Sequence, residues 1–443
     1  MDKNLVEIAR EAGVIGAGGA GFPTHIKINA KVEYILVNGA ECEPLLRVDQ
    51  QLLAGKTEEI LKSLSLLVEA TSAKKGIIAL KGKYKDAVDK LKEEIKNYSN
   101  LDIFTMDNFY PAGDEQVTVY EVLNRIVPEG GIPLDVGVIV INVETLLNLY
   151  NGYNGEPVLE KYVTITGAVK NPKTVKVPIG MCMKDVIDMA GGITVDAFKV
   201  IDGGPMMGKI IEDIHSPVTK TTKGLIVLPA DHPLIHSKTR DIHQMLRHAK
   251  TSCMHCSLCT EVCPRNLIGH KLHPDRLMRL GSYNSTCSVE TKATEAFLCC
   301  ECGLCEHACV MDLQPWKLNR FLKGELGKNG IKNPNSRKPE NAHPFREYKK
   351  FPVKKLVAKL GLSKYDVDAP LEEVSDIVLG SVNILLKQHI GMAANPLVKI
   401  GDKVQKGQLI ADVPEGKLGS KIHSSIDGVV ENLFTDSILI RGV

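Results

Sequence analysis

No sign of charge dominates this chain: 55 basic residues face 53 acidic ones over 443 residues. Without a basic excess, the electrostatic footprint of a nucleic-acid binder is missing. No apolar run reaches the roughly 18 residues that a membrane span needs. The longest, around Val136 to Val143, reads as a buried strand. A secretory leader is missing as well, because Asp2, Glu7 and Glu11 interrupt any apolar stretch at the start. Twelve cysteines without such a leader point to a reducing cytoplasm, where thiols serve as ligands rather than disulfides. Hydrophobic content is that of an ordinary globular protein, and the length suggests about three domains.

The cysteines carry the most specific pattern. Cys253-x-x-Cys256-x-x-Cys259-x-x-x-Cys263-Pro264 is followed by Cys299-x-x-Cys302-x-x-Cys305-x-x-x-Cys309. This is the bacterial ferredoxin run, written twice. Thiolates separated by two residues wrap one face of an iron–sulfur cube, and the fourth cysteine ligates the other cluster. The expected ligand sets are Cys253, Cys256, Cys259 and Cys309 for one [4Fe-4S] cluster, and Cys299, Cys302, Cys305 and Cys263 for the second. One run alone is compatible with zinc; two complete runs in the same order favour clusters. Val310 stands where the second proline would be, which alters the turn and not the ligand set. Cys300 lies beside a ligand, but the spacing favours Cys299. Cys182 and Cys287 read as ordinary small apolar residues. His255 and His307, inside the runs, read as exposed loop residues.

Along the chain, a short helix at Val6 to Ala12 leads into Gly16-Ala17-Gly18-Gly19-Ala20-Gly21-Phe22-Pro23-Thr24. Formally this holds G-x-G-x-x-G, with Glu41 further on. The Rossmann fingerprint requires a strand before the glycines and a helix after them. Here a helix precedes and Pro23 follows, so that fingerprint is excluded. The glycines still let backbone N–H groups approach a flat or phosphorylated ligand closely. Strands at Val32 to Val37, Ile77 to Leu80, Leu101 to Thr105 and Gly137 to Ile141 alternate with helices at Lys56 to Ala70 and around Tyr84 to Tyr98. That alternation predicts a doubly wound sheet. Polar clusters follow three of the strands, at Asn38, Glu41 and Glu43, at Tyr110 to Glu115, and at Asn142 to Leu146, where α/β sheets bind ligands. Lys328 to Lys355 is lysine-rich with several prolines and reads as a solvated tether. Ile384 to Ile440 is β-rich.

The stretches GAGGAGFPT, NGAECEP, PAGDE and NVETL resemble the FMN- and NADH-binding subunit of respiratory complex I and the RnfC subunit. The resemblance to the PduS-type cobalamin reductases of propanediol-utilisation microcompartments is closer and runs nearly end to end. It includes Glu41 to Leu53, Val177 to Met181, Gly203 to Gly208, both cysteine runs, and the C-terminal LLKQHIG and SIDGVV stretches. It implies a multidomain α/β architecture. A Rossmann-like FMN/NADH domain would occupy 1–155, a β-grasp SLBB (soluble-ligand-binding) module 156–240, and a ferredoxin-like two-cluster domain 245–325. A linker over 326–375 and a C-terminal β barrel-sandwich hybrid over 376–443 would follow. The same resemblance implies FMN contacts from Gly16, Gly18, Gly19 and Gly21, with Lys27 near the cofactor. Asn38, Glu41 and Glu43 would meet the ring or ribityl chain, and Gly113, Asp114, Glu115 and Asn142 would surround the phosphate and ring edge. NADH would stack near Phe22 and touch Glu115. No arginine flanks the glycine loop, which favours NADH over NADPH. Lys417 sits where a carrier domain presents a modified lysine, but the usual Met-Lys-Met or Asp-Lys-Ala frame is missing.

The implied function is electron transfer from NADH to FMN, through two [4Fe-4S] clusters, to cob(II)alamin, in support of coenzyme B12 recycling. No side chain need act as acid, base or nucleophile, because the flavin converts a hydride into single electrons. The implied partners are a cobalamin adenosyltransferase or another electron-accepting protein, and microcompartment shell or cargo. The implied place is the cytoplasm, inside a bacterial microcompartment. The alternative is an RnfC-like electron-entry protein feeding a ferredoxin or another reductase. A cluster-bearing assembly protein with a degenerate flavin site is a third reading, opposed by the intact NGAECEP and PAGDE loops.

Overall fold

The computed structural model describes residues 4–283, 292–374, 377 and 379–443; Cys287 lies outside them. Strands β1 (Tyr34–Gly39), β2 (Lys75–Lys81), β3 (Leu101–Met106), β4 (Phe109–Tyr110) and β5 (Val138–Asn142) come first. All but β4 form a parallel sheet in the order β3-β2-β1-β5. Parallel strands are covered on both faces and so read as unbroken apolar runs, as β5 does with Val138-Ile139-Val140-Ile141. Successive side chains alternate between faces. Ile35 and Val37 of β1 therefore meet the helices Thr57–Ala70 and Val143–Tyr153 through Leu61, Leu64 and Leu146, while Leu36 joins Val119 of the helix Glu115–Leu123 on the other face.

A second sheet holds β6 (Glu160–Gly167), β7 (Lys173–Pro178), β8 (Phe198–Asp202), β9 (Lys209–Ile210) and β10 (Gly224–Pro229), ordered β7-β6-β10-β8-β9. β6 pairs with β10 in parallel and its hairpins are antiparallel. With the helix Met183–Asp188 this gives the β-grasp layout. The loop Gly203–Gly208 joins β8 to β9. The cysteine runs follow, set among the helices Ile242–Ser252, Pro274–Tyr283 and Pro315–Lys328.

The segment read as a solvated tether is instead a strap. Arg337 binds Glu129 at 2.7 Å, and its carbonyl accepts the Glu129 N–H at 2.8 Å. Arg346 forms an ion pair with Glu121 that is largely buried. β11 (Phe351–Pro352) pairs antiparallel with β4. The helix Val353–Lys359 buries Val353, Leu356 and Val357 against the second sheet. β12 (Leu371–Glu372) extends that sheet alongside β7. The basic residues that suggested a solvated segment find carboxylates on the first domain, and the few apolar ones fall on one helical face.

The C-terminal module stacks two antiparallel sheets, β13-β19-β18-β15 and β14-β16-β17. They comprise β13 (Ser381–Leu385), β14 (Asn395–Pro396), β15 (Lys403–Val404), β16 (Leu409–Asp412), β17 (Ile422–His423), β18 (Gly428–Leu433) and β19 (Ser437–Gly442). They enclose Ile384, Ile410, Val430, Ile438 and Ile440. Lys417 lies in the connection between β16 and β17. No helix among the described residues is long and apolar enough to cross a membrane.

Candidate functional site

The first sheet reverses its winding at β1. The chain moves outward to β2 and β3, then returns to place β5 on the other side of β1. A crevice opens at the carboxyl ends of strands at such a switch point. Asn38, next to last in β1, and Asn142, the last residue of β5, are register partners. Asn38 Nδ2 donates to the Gly113 carbonyl at 2.7 Å. Lys27 Nζ donates to Glu115 Oε1 and to the Val140 carbonyl, both at 2.7 Å. The glycine loop lies over Asn142: a Cβ at Gly18 would fall 2.9 Å from Asn142 Nδ2, so only glycine fits there. Thr145 Oγ1 accepts the Ala17 N–H at 2.9 Å, and Gly16 N–H reaches the Phe22 carbonyl at 2.9 Å. The structure thus brings Gly16, Gly18, Gly19, Lys27, Asn38, Gly113, Glu115 and Asn142 to one crevice, with Phe22 half-buried on its rim.

The loop answers the question of fit. Gly18, Gly19 and Ala20 are exposed, and among the described residues their N–H groups have no internal acceptor. Unpaired N–H groups beside a lysine suit an oxygen-rich, anionic ligand such as a flavin phosphate. Gly21 stands apart. It has φ +69, and a Cβ there would meet Thr221, Gln388 and His389, so it packs directly against the second domain and the C-terminal module.

Three of the acidic residues expected at the flavin are turned elsewhere. Glu41 accepts the N–H groups of Asp49 (2.9 Å) and Gln50 (3.3 Å) at the start of the helix Val48–Gly55. Glu43 accepts from the Met206 and Met207 N–H groups, at 2.9 and 3.0 Å, and so fastens the Gly203–Gly208 loop. Burial is the main cause that raises both carboxyl pKa values above the usual range. Asp114 caps the helix Glu115–Leu123 with one oxygen and pairs with Arg265 through the other at 2.8 Å. These carboxylates brace the crevice from outside. Of the acidic residues expected there, Glu115 keeps an exposed side chain.

Below the crevice lies a buried polar network that sequence reasoning missed. Asp49 pairs with Lys223 and accepts from Asn142 Nδ2 at 3.1 Å. Glu144 pairs with Lys161, both almost wholly buried. Asp49 and Glu144 do lie inside the ECEPLLRVDQ and NVETL stretches, and the lysines opposite them belong to the second domain. Paired burial of this kind fixes a geometry more than it adds stability.

The two cysteine runs repeat one backbone. His255 and Ser257 are left-handed at φ 54 and 60, and the equivalent Glu301 and Gly303 at φ 58 and 77. Left-handed turns between ligands aim successive N–H groups toward a common centre. Cys253, Cys256, Cys259 and Cys309 line one cavity with Met254, His255, Met278 and Met311. Cys263, Cys299, Cys302 and Cys305 form the second group; burial pushes the Cys305 thiol pKa well up, with further contributions from Cys299, from Cys259 of the first group and from Cys263, so the two groups lie close together. Cys259 is pushed up to about 12 by burial, then by Asp275 and the thiols of its own set. Thiols so disposed need adjacent positive charge, such as iron, to become thiolates. A cubane also holds its ligands further apart than one ion does. Among the described residues, no three His, Cys, Asp or Glu side chains converge tightly enough for a single ion. Cys300 turns to Cys302 and Arg265. His307 is partly buried, not an exposed loop residue, and burial lowers its pKa.

The second set touches the first domain directly. Tyr110, fully buried, donates its hydroxyl to the Cys302 carbonyl at 2.7 Å. Arg265, two residues after Cys263, reaches Asp114. A Cβ at Gly303 would lie 3.3 Å from Met206 Cε, so the loop held by Glu43 also rests on this set. Cys263, Cys302 and Cys305 are buried, whereas Cys256 of the other set is exposed.

Comparison with known proteins agrees with this layout. Residues 9–151 match the Nuo51 FMN-binding domain, 162–209 the SLBB domain, 252–314 a 4Fe-4S dicluster domain, and 369–438 the RnfC barrel sandwich hybrid domain. The chain is 44% identical over 443 residues to cobalamin reductase PduS of Citrobacter freundii, covering 99% of this chain and 97% of that protein. It is 44% identical over 439 residues to the PduS of Salmonella typhimurium, covering 98% and 96%. Similarity extends to one component of the Na(+)-translocating ferredoxin:NAD(+) oxidoreductase complex of Acetobacterium woodii, 36% identical over 276 residues, covering 60% of this chain and 59% of that one.

Proposed function

The chain belongs to the PduS cobalamin reductase family, and on that premise we propose that its FMN and two [4Fe-4S] clusters carry reducing equivalents from NADH, one electron at a time, to the cobalt of cob(II)alamin.

The chain's own residues bind, orient and insulate. The exposed N–H groups of Gly18 to Ala20, with Lys27, Asn38 and Asn142, would hold the flavin. Phe22 and Glu115 border the side open to the nicotinamide. Cys263, Cys299, Cys302 and Cys305 would hold one cluster in the interior, and Cys253, Cys256, Cys259 and Cys309 the other at the surface. Cys300 contacts both Cys302 and Arg265, and the spacing of the run assigns the ligand role to Cys299.

The observation that carries this reading is the fastening of the PAGDE loop to the buried set, through Tyr110 to Cys302 and Asp114 to Arg265. It sets one group of cysteines against the flavin domain and leaves the other toward solvent. Family membership supports a partner adenosyltransferase that presents the corrinoid, and a working place among the cargo of a bacterial microcompartment in the cytoplasm. The test is anaerobic: reconstituted protein and NADH are offered cob(II)alamin and, separately, a ferredoxin. Cobalamin reduction at the higher rate is expected. Preference for ferredoxin would move the chain to the role of its relative in the ion-translocating complexes.

A further inference from the structure

The surface around the exposed cysteine set is apolar in the middle and basic at the edge. Met254, Leu258 and Val310 are 68%, 40% and 63% exposed. They adjoin Cys253, Cys259 and Cys309 in sequence, and Met254 and Val310 line the same cavity as the thiols of that set. Large side chains so open are ordinary when scattered; gathered around one redox site they mark a contact surface.

The rim carries the charge. Arg247 and Lys250 are exposed on the helix Ile242–Ser252, whose C-cap is Cys253 itself. On the other flank, a cleft of ≈ 390 Å³ reaches Cys309 and is lined by His236, Arg240 and Lys359. Among the described residues, Arg247, Lys250 and Lys359 form no ion pair. The nearby carboxylates are already engaged. Asp275 binds Arg279, Thr260 and Ser257, Glu261 binds Lys349, and Glu306 takes hydrogen bonds from Ser237, Gln314 and Trp316. Among the described residues, Glu306, held by neutral donors, and Asp312 both lie in the cleft without an ion pair, so the unbalanced positive charge of the rim is greatest on the Arg247 and Lys250 side.

We infer that this face is the docking surface for an acidic electron-accepting protein, which seats an apolar centre on Met254, Leu258 and Val310 and a negative rim on Arg247, Lys250 and Lys359. The inference rests on the electron-transfer reading above, which makes the exposed cysteine set the point of exit. Charge complementarity selects the occupant: an unpaired basic rim attracts an acidic surface and repels a basic one. Opposite rims accelerate encounter and hold an exposed redox centre at short range without demanding a large, slow-releasing interface.

The test measures binding of the resting, cluster-loaded full chain by surface plasmon resonance, with an acidic flavodoxin and a basic cytochrome c as probes. Flavodoxin binding that weakens with added salt is expected, with cytochrome c binding far less. Lys250→Glu combined with Lys359→Glu is expected to lower the flavodoxin association rate constant about tenfold at low ionic strength. The gap should close at high salt, where the Debye length shrinks to about 3 Å at 1 M. Arg247→Glu alone gives a second, independent reading, and Lys92→Glu, an exposed cation on the first domain, is the charge-matched control for that single reversal. Tighter binding of cytochrome c, salt-independent binding, or an equal loss in Lys92→Glu would overturn the assignment. The readout needs no NADH. Flavodoxin binding by a protein whose flavin NADH cannot bleach would count against the reductase reading alone.

Discussion

Between the two cysteine runs the local backbone is the same, left-handed at His255 and Ser257 in one and at Glu301 and Gly303 in the other. The surroundings differ. The set completed by Cys263 is walled by Tyr110, Arg265 and Met206, which come from the first domain, its own run and the second domain. The set completed by Cys309 opens on solvent between Met254 and Val310. Spacing therefore dictates how a run folds around its centre, while distant chain decides what that centre can reach. One set is built to receive from within, the other to give outward.

The comparison breaks most visibly at the ligands. Cys305→Ala is expected to remove the interior cluster, to lower thermal stability, and to stop reduction of any acceptor beyond the flavin. Cluster binding is part of the folding free energy of such a region, so iron content and melting temperature should fall together. Cys256→Ala, at the exposed set, should also lose one cluster but cost less stability. Equal destabilisation would contradict the difference in burial.

The next largest effect falls on the ion pair that fastens the PAGDE loop. Asp114 and Arg265 are only 12% and 11% exposed. Arg265→Ala leaves a nearly buried carboxylate unpaired, at a cost of about 3 kcal/mol, read by denaturant unfolding. Onward transfer to cobalamin should slow while the flavin still accepts from NADH. Tyr110→Phe is gentler. It deletes one hydrogen bond and exposes an unmet carbonyl, for about 1–2 kcal/mol.

The smallest expected effect is a pH dependence in the second domain. Burial raises the Asp202 carboxyl from 3.8 to about 6. A folded value above the unfolded one means that the folded state holds its proton longer. The stabilisation is then complete below pH 3.8 and is lost as pH rises through about 6. Asp202→Asn should flatten the melting temperature across that window, and an unchanged slope would show that another group sets it.

Much of this was legible in the sequence, and the parts that were not share a cause. The alternation of strands and helices announced the first sheet, and the doubled cysteine spacing announced two separate sets, because both are local patterns. Asn38 and Asn142, at or next to a strand end, fell in register as ligand-binding strand ends do. Glu41 and Glu43 misled because a carboxylate in a glycine-rich turn reads as a ligand contact. The amides that Glu43 binds lie 163 residues further along. The strap after Lys328 was hidden in the same way, since its arginines and lysines look solvated until Glu121 and Glu129 are seen opposite them. Lys161 and Lys223 carried no signal at all.

The central claim is that the interior set stands next to the flavin and the exposed set at the exit. Its most direct test is anaerobic NADH titration of Cys256→Ala and Cys305→Ala, followed by optical and EPR spectra. In Cys256→Ala, the remaining interior cluster should be reduced as the flavin bleaches. In Cys305→Ala, the flavin should bleach while the remaining exposed cluster stays oxidised. The reverse pattern, or no cluster reduction in Cys256→Ala, would contradict the account.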